Sequence, residues 1–349
     1  MEKTVFDPAV LEAVRAAENV VILGHVHPDG DCLGSTLGFR QYLRENMPGK
    51  PAEVCLDNPA EKFSYLPGFD EVRTAFDPGR HYDLCVTLDA SDLERLGEFA
   101  PYFSSANHTF CLDHHRTNPG FAENNIINGD ASSCCEVLYG CLDPEKISRE
   151  TAKCIYTGLV HDTGVFRYSS TSRKTMEIAG AMMEKGIDFG EIIDGSFYRK
   201  TFTQNRLMGR ALAGSRLYFG GGCIAGVLTA EDMAAEGADH NDVDGIIDQM
   251  RVTAGVECAL LLYEKAPGEF KASIRSNHTL DVSRIAVSFG GGGHIRAAGF
   301  TLRGNSEDCL KEALEAVRRG LQEIREMRPA GEDAPAPADS ARRPETTHD

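Results

Sequence analysis

Short apolar runs alternate with longer stretches of helical periodicity through the first half of the chain. Four of the apolar runs predict buried strands, at residues 20–23, 53–56, 84–88 and 109–112. Residues 33–45, between the first two runs, carry apolar side chains at the spacing of an amphipathic helix. This alternation is typical of βαβ units around a parallel sheet, so we expect an α/β domain there.

The pattern changes after residue 186. Residues 187–213 are helical by pattern and predict a connector helix between domains. The following stretch, 214–327, contains hairpin-like strands, the glycine-rich segment FGGGGHIRAAGF and a charged helix, and it predicts a smaller α/β domain. The last residues, 328–349, are rich in proline, alanine and charge without an apolar period, which predicts a disordered tail. We therefore expect a first domain over residues 1–186, followed by these three segments.

Polar side chains follow the predicted strands where each strand ends. In an open parallel sheet the carboxyl ends of the strands meet at one edge, where ligands bind. Carboxylates and imidazoles suit Mn²⁺ or Mg²⁺, and two such ions about 4 Å apart can activate water and hold a phosphoryl oxygen. Taken singly, an Asp-Gly-Asp turn or an Asp-Thr-Gly helix end has ordinary structural explanations. Their recurrence favours a metal site, and the polar residues concerned are His25, Asp29, Asp31, Asp89, Asp113, His114, His115 and Asp162.

The glycine run at residues 290–293, followed by His294, could present several backbone N–H groups to an anion. It lacks the Gly-Lys-Ser/Thr of a nucleoside-triphosphate loop. By itself the run is typical of a tight turn before a helix starting near Ala297. Arg275, at the end of a predicted strand, is by itself a solvated charge.

Four motifs in this order, HVHPDGD, VTLDASD, DHH and GLVHDTG, resemble the DHH phosphoesterase superfamily. The segments RSN and FGGGGHIRAAGF resemble the substrate-binding domain associated with it, and the resemblance covers residues 15–325. It implies a parallel-sheet catalytic domain holding two Mn²⁺ ions, for which Mg²⁺ or Co²⁺ can substitute. The implied ligands are His25 and Asp29 for one ion, Asp31, His114 and Asp162 for the other, and Asp89 as the bridge.

The resemblance also implies roles beyond the metal ligands. His115 acts on the leaving group as a catalytic residue together with the bridging Asp89, and Asp113 orients a histidine ring. His27 and His161 depart from the usual pattern, in which these positions are commonly asparagine and a small polar residue. The residues of the second domain that the resemblance implies for substrate binding are Arg275, Asn277, Gly292, Gly293 and His294.

The compact two-domain arrangement is similar to that of bacterial nanoRNase and pAp phosphatase proteins. It implies hydrolysis of very short oligoribonucleotides to 5′-mononucleotides and conversion of 3′-phosphoadenosine 5′-phosphate (pAp) to AMP. An alternative is a soluble phosphodiesterase that acts on c-di-AMP or the linear dinucleotide pApA. An alternative of another class is a catalytically inactive nucleotide-binding regulator.

The composition of the chain limits the kinds of binding partner that we expect. The 349 residues carry 53 acidic and 36 basic side chains, a net charge of −17, so long duplex nucleic acid is not an expected partner. We expect short RNA, pAp or dinucleotides instead, and leave a homodimer open. Eleven cysteines without a Cys-x-x-Cys spacing, no signal peptide and no long apolar run predict a cytoplasmic protein with no membrane partner.

Overall fold

The computed structural model describes residues 6–327 and divides into two compact units, Met1–Arg199 and Lys200–Asp349. The predicted disordered tail, 328–349, lies outside the described residues. The domain limits at residues 186 and 213 stay predictions. No helix within residues 6–327 is long and apolar enough to cross a membrane.

The first unit contains a five-stranded sheet in which every neighbouring pair of strands is parallel, as predicted. The spatial order is β2-β1-β3-β4-β5. Three of the four predicted strands lie in its centre, and the fourth, β2, is at one edge. The edge strand β5 was not predicted. The strands are β1 Val20–Leu23, β2 Ala52–Cys55, β3 Leu84–Leu88, β4 His108–Asp113 and β5 Asn124–Ile127.

Helices cover both faces of this sheet. Successive side chains of a strand point to opposite faces, so each face has its own apolar cluster to bury. Val20 and Ile22 of β1 belong to one apolar cluster, whereas Val21 and Leu23 belong to another. The helices are α1 Ala9–Ala16, α2 Gly30–Asn46, α3 Ala100–Ser105, α4 Cys134–Tyr139, α5 Arg149–Asp162, α6 Arg173–Glu184 and α7 Phe189–Ile193, followed by a π-helical turn, Asp194–Tyr198.

Helices α2 and α5 approach closely at glycines. A Cβ on Gly34 of α2 would lie 2.5 Å from the carbonyl oxygen of Cys154. A Cβ on Gly158 of α5 would lie 2.5 Å from Oδ1 of Asp31. The absence of side chains at these positions brings the start of α2 and the end of α5 together at the edge of the sheet.

The second unit is built on a six-stranded sheet of order β10-β11-β9-β8-β7-β6. The predicted hairpins are present, since β6 pairs with β7 and β8 with β9 antiparallel, while β7 and β8 are parallel. The strands are β6 Arg216–Tyr218, β7 Cys223–Leu228, β8 Cys258–Ala266, β9 Glu269–Ser276, β10 Gly292–His294 and β11 Ala297–Arg303.

Two apolar clusters cover the two faces of this second sheet. Ile274 and Ala298 lie in one cluster, and Ala259 lies in the other. The helices are α8 Phe202–Gly214, α9 Ala230–Ala235, α10 Ile246–Arg251, α11 Val282–Ser288 and α12 Ser306–Met327.

Two sequence-based interpretations need correction. The predicted connector is helical but interrupted. The chain becomes extended at Arg199, and α8 begins at Phe202 after its N-cap Thr201, whose hydroxyl forms a capping box with Gln204. No helix starts near Ala297. Instead β11 starts there and pairs with the glycine run as strand β10.

Candidate metal centre

Polar residues from four separate segments meet at the carboxyl end of the first sheet. His25 follows β1, Asp89 follows β3 and His114 follows β4. Asp31 lies in the first turn of α2, and Asp162 is the last residue of α5. The parallel topology places the ends of these strands at one edge, so residues distant in sequence become neighbours.

Asp89 lies between two imidazole rings. Its Oδ2 is 3.5 Å from Nε2 of His25, and its Oδ1 is 3.4 Å from Nε2 of His114. The residue is buried, and its backbone has a φ of +57°, an uncommon conformation for a residue other than glycine. The two oxygens of one carboxylate thus face two different groups of side chains.

The first group contains His25 and Asp29. The Nδ1–H of His25 donates to the Val26 carbonyl at 2.8 Å, which leaves Nε2 as the free nitrogen. That nitrogen is 3.7 Å from Oδ1 of Asp29. Burial alone would lower the pKa of His25, but hydrogen bonds to Asp29 and Asp89 raise it to about 10. The carboxylates therefore attract positive charge to Nε2.

Asp29 also caps helix α2. Its Oδ1 accepts hydrogen bonds from the backbone N–H groups of Asp31 at 3.0 Å and Cys32 at 3.1 Å. Burial raises the pKa of Asp29, but the nearby His25 and the backbone hydrogen bond from Cys32 together lower it overall. The structural role of the Asp-Gly-Asp turn as a helix cap is thus present together with the approach to His25.

The second group contains Asp31, His114 and Asp162, whose candidate ligand atoms all lie within 4.8 Å of one another. Nε2 of His114 is 3.1 Å from Oδ2 of Asp162 and 3.9 Å from Oδ2 of Asp31. Burial and the neighbouring Asp89 raise the pKa of Asp31 to about 7, and burial and Asp31 raise the pKa of Asp162. The crowded carboxylates repel one another, so a cation among them would be favourable.

Helix α4 holds Asp31 in place from behind. The N–H groups of Cys134 and Cys135 donate to its two oxygens at 2.6 and 3.0 Å. The buried Glu136 anchors the same turn by accepting from the hydroxyls of Ser132 and Thr175, each at 2.8 Å. This support was not predicted, although the Ser133-x-x-Glu136 spacing is a helix-start signal.

The Sγ of Cys32 and the candidate ligand atoms of His25 and Asp89 all lie within 4.8 Å of one another. Burial and the surrounding carboxylates raise the pKa of its thiol well above the ordinary value. The thiol stays protonated, and protonated sulfur is a poor metal ligand. Cys32 is therefore a small buried side chain beside the centre.

His115 is connected to a buried carboxylate. Its Nδ1 donates to Oδ1 of Asp113 at 2.8 Å, and Oδ2 of Asp113 accepts from Asn118 at 2.7 Å. The hydrogen bond to Asp113 raises the pKa of His115. Its side chain is 40% exposed, so the ring can meet a ligand. Asn118 was not predicted, because no motif distinguishes it from a turn asparagine.

The two unusual histidines differ in their surroundings. His27 is 90% exposed, has a φ of +55° and lies 3.7 Å from Asp57. His161 packs edge-on against Phe63, and its Nε2 lies 3.0 Å from the Ser196 hydroxyl. Burial and the charge of Lys62 lower the pKa of His161 to about 4. His161 is therefore a neutral residue that packs against Phe63, next in the chain to Asp162.

The substrate-binding residues predicted for the second unit lie in β10 and at the end of β9 or directly after it. His294 pairs with Ala297, and Ala297 pairs with Arg275, so His294 and Arg275 point to the same face of the sheet. Gly293 has a φ of +145°, and a Cβ there would lie 2.5 Å from the Ala297 carbonyl oxygen. Gly292 next to it has open space on its Cβ side.

Charged and amide groups surround Arg275. Its Nε lies 3.8 Å from Oδ1 of Asp248, which is also 3.8 Å from Nε of Arg251. The Asn277 amide donates to the carbonyls of Arg251 at 2.8 Å and Val256 at 2.7 Å and accepts from Arg251 at 3.0 Å. The Asn277 side chain thus fixes the chain between residues 251 and 256.

The family models and the relatives that match this chain agree with one another. The family model for the DHH family, N-terminal domain, matches residues 19–159, and the model for the DHHA1 domain matches residues 222–323. A bifunctional oligoribonuclease and PAP phosphatase NrnA from Thermus thermophilus is 30% identical over 316 residues, which cover 89% of this chain and 93% of that protein. Its counterpart from Bacillus subtilis is 23% identical over 84% of this chain and 92% of that protein.

A solved structure has a similar fold. The crystal structure of an exopolyphosphatase-related protein from Bacteroides fragilis superposes with a TM-score of 0.80 at 26% identity. The superposition covers 91% of this chain and 96% of that chain. The likeness therefore extends through both units.

Proposed function

The chain belongs to the DHH family, and on that premise we propose that this hydrolytic enzyme degrades very short oligoribonucleotides to 5′-mononucleotides and converts pAp to AMP. The support is the description of its relatives from Thermus thermophilus and Bacillus subtilis as oligoribonucleases and PAP phosphatases. Their similarity extends over most of both chains, so it includes the second unit.

The position of Asp89 carries the proposal. Its two oxygens face His25 and His114, and each imidazole belongs to a separate group of carboxylates. The donors are nitrogen and carboxylate oxygen, which fit Mn²⁺, with Mg²⁺ or Co²⁺ as substitutes. We propose one ion at His25 and Asp29, a second at Asp31, His114 and Asp162, and Asp89 as the shared ligand. When bound, such ions activate water and neutralise charge on phosphoryl oxygens.

His115 would supply the proton for the leaving group. Its Nδ1 is occupied by Asp113, so Nε2 is the atom that can donate to the departing oxygen. The hydrogen bond to Asp113 raises the pKa of His115, which favours the protonated ring, the form that a general acid requires. Asp113 and Asn118 would keep the ring oriented while the proton leaves.

The second unit would hold the part of the substrate that does not react. Arg275 and His294 lie on one face of its sheet, and the backbone at Gly292 and Gly293 is open enough for an anion to approach. Asn277 would contribute by fixing the chain beside Arg251. Binding energy from a remote part of a substrate can be used to position the reacting phosphate.

Small substrates suit the charge of the chain. A net charge of −17 opposes a long polyanion, whereas a dinucleotide presents few phosphates. The proposal includes action on short single strands without duplex binding and a cytoplasmic location. The eleven cysteines, all free and buried, support a reducing compartment.

A substrate panel tests the proposal. The purified protein is stripped of metal, reloaded with Mn²⁺ and assayed with pAp, pApA, a five-nucleotide RNA, c-di-AMP and pyrophosphate, and Asp89→Asn is the control for contaminating activity. We expect turnover of pAp and the short RNAs and none of pyrophosphate. Preference for c-di-AMP would favour the cyclic-dinucleotide alternative. Nucleotide binding without any turnover would instead support the regulator.

A further inference from the structure

The turn that follows Asp162 has an unusual backbone. Gly164, Val165 and Phe166 have φ angles of +56°, +58° and +62°. L-residues visit this left-handed region as isolated residues, and a β-branched residue such as Val165 is a clear outlier there. Three in succession form a strained turn only two residues beyond a proposed metal ligand.

Several hydrogen bonds hold the turn in this conformation. The buried Thr163 hydroxyl donates to the Leu159 carbonyl and accepts from the N–H of Phe166 at 2.9 Å. The Thr163 carbonyl accepts from the N–H groups of Arg167 and Tyr168, each at 2.9 Å. Strain maintained by so many contacts is found mainly at ligand and active sites.

The turn places an aromatic ring at the surface near Asp162. Tyr168 is 47% exposed, and its ring covers Gly164, where a Cβ would lie 2.4 Å from Cζ. The Cα atoms of Gly164 and Asp162 are at most about 7.6 Å apart, since consecutive Cα atoms are separated by 3.8 Å. Only a glycine at position 164 leaves room for the ring to pack there, on the turn that follows Asp162.

Two neighbours of Tyr168 lack partners. The exposed Arg167 guanidinium makes no hydrogen bond or ion pair with any described residue, although the chain is strongly acidic. The Thr171 hydroxyl is the buried side-chain polar group that has no hydrogen-bond partner in the part of the chain that the structure describes. An unpaired cation next to an exposed ring in the chain is what an anionic aromatic ligand would need, whereas the buried Thr171 hydroxyl is an unsatisfied group of the same turn.

We propose that Tyr168 forms a nucleobase subsite of the first unit, on which a base next to the scissile phosphate stacks, with Arg167 attracting the phosphates. The inference rests on the proposed function and names the part of the substrate that this unit recognises. A half-exposed aromatic ring can stack on any base, so the subsite would favour nucleotides over pyrophosphate without selecting a sequence.

The test compares substrates that differ by one base. We would measure kcat/KM with pApA and with two analogues, each of which carries 1-deoxyribose in place of one adenosine. The variants are Tyr168→Leu and Tyr168→Phe, with Tyr168→Gln as a second non-aromatic change if leucine lowers the melting temperature. Tyr198→Leu is the matched control, because Tyr198 is 48% exposed on the same unit. Mn²⁺ content is measured for every variant.

The expected losses depend on the substrate. Tyr168→Leu should lower kcat/KM for pApA by about 5- to 100-fold, the range expected from the loss of one base stack. It should have no effect on the analogue that lacks the stacked base, while Tyr168→Phe and Tyr198→Leu stay within about threefold of wild type. Equal losses on all three substrates, loss of Mn²⁺, or no loss with pApA would overturn the subsite.

Binding separates this inference from the proposed function. If the wild-type protein does not hydrolyse pApA, the proposed function fails, and the subsite is judged by calorimetric binding of AMP in the presence of Mn²⁺. Weaker binding to Tyr168→Leu but not to Tyr198→Leu would support the subsite. Equal binding to both variants and wild type would refute it.

Discussion

Substitution of Gly158 by alanine tests whether close helix packing fixes a proposed metal ligand. Gly158 lies inside α5, and a Cβ there would lie 2.5 Å from Oδ1 of Asp31 and 2.3 Å from Sγ of Cys135. Both side chains are buried, and the Asp31 carboxylate is held by the N–H groups at the start of α4. The added methyl group must displace Asp31 or separate α5 from α4.

The expected magnitude follows from two opposing effects. Alanine in place of glycine within a helix stabilises by about 0.5–1 kcal/mol. Overpacking a filled interior costs about 1–3 kcal/mol, and a weakened hydrogen bond to a charged group adds about 1.5–3 kcal/mol if Asp31 moves. The difference between these effects predicts that Gly158→Ala lowers the free energy of unfolding by roughly 1.5–5.5 kcal/mol if Asp31 moves, and by at most about 2.5 kcal/mol if it does not. Gly180, inside α6, has no atom within 4 Å of its Cβ position, so Gly180→Ala should stabilise by about 0.5–1 kcal/mol.

Urea unfolding of the metal-free proteins shows whether the two substitutions change the free energy of unfolding in opposite directions. Calorimetric titration with Mn²⁺ measures how each substitution changes the affinity for the metal. Gly158→Ala should bind the ion at Asp31, His114 and Asp162 more weakly and lose turnover, whereas Gly180→Ala should do neither. If Gly158→Ala were as stable as Gly180→Ala and kept its metal and its activity, the packing at Gly158 would not position Asp31.

Four further changes test other parts of the structure. Asp89→Asn should lower hydrolysis by more than about 100-fold, beyond the loss usual for residues outside the ligand set, and activity within tenfold of wild type would exclude a shared ligand. His115→Ala should lower kcat by about 10²–10⁴-fold with both Mn²⁺ ions retained; loss of one ion in titrations would make it a ligand instead. Arg275→Ala should lower kcat/KM for pApA by about 10- to 100-fold and leave the metal content unchanged. Arg303→Ala, on the neighbouring strand, should leave both kcat/KM and metal content unchanged, and equal losses in the two variants would exclude the proposed substrate-binding role of Arg275. Glu53→Gln should lower the melting temperature at pH 7, because hydrogen bonds from a tyrosine and two arginines outweigh burial and lower the pKa of Glu53. A carboxylate with a lowered pKa stabilises the fold above the ordinary glutamate pKa, and this stabilisation is lost as the pH falls. The difference in melting temperature between wild type and Glu53→Gln should therefore shrink toward pH 3. A difference that stayed constant would contradict this role of Glu53.

The pattern of apolar residues was sufficient to predict the centre of the first sheet. The predicted bounds of β1 and β3 match the structure, because strands buried on both faces are continuous apolar runs between polar residues. The edge strand β5, Asn124–Ile127, begins with two exposed asparagines and has no such run. Pairing with β4 makes it a strand, and that pairing is not visible in its own residues.

The second unit shows the same limit. The glycine run has a low intrinsic preference for a strand, since glycine is depleted in strands. Its edge strand exists because Gly293 lets the backbone approach β11 where a Cβ would collide with Ala298. Pairing with β11 in the folded chain thus makes this segment a strand, although its local sequence favours a turn.

The sequence by itself determined which chemical groups stand at the strand ends and, through the parallel topology, at which edge of the sheet they meet. Only the tertiary structure decided their mutual geometry: the two oxygens of Asp89 face different imidazoles, and Asp31 is held by N–H groups 103 and 104 residues further along the chain. Topology follows from the order and periodicity of short segments. Atomic positions depend on packing between distant segments, here through glycines that let α2, α4 and α5 come close, and such contacts leave no local pattern in the chain.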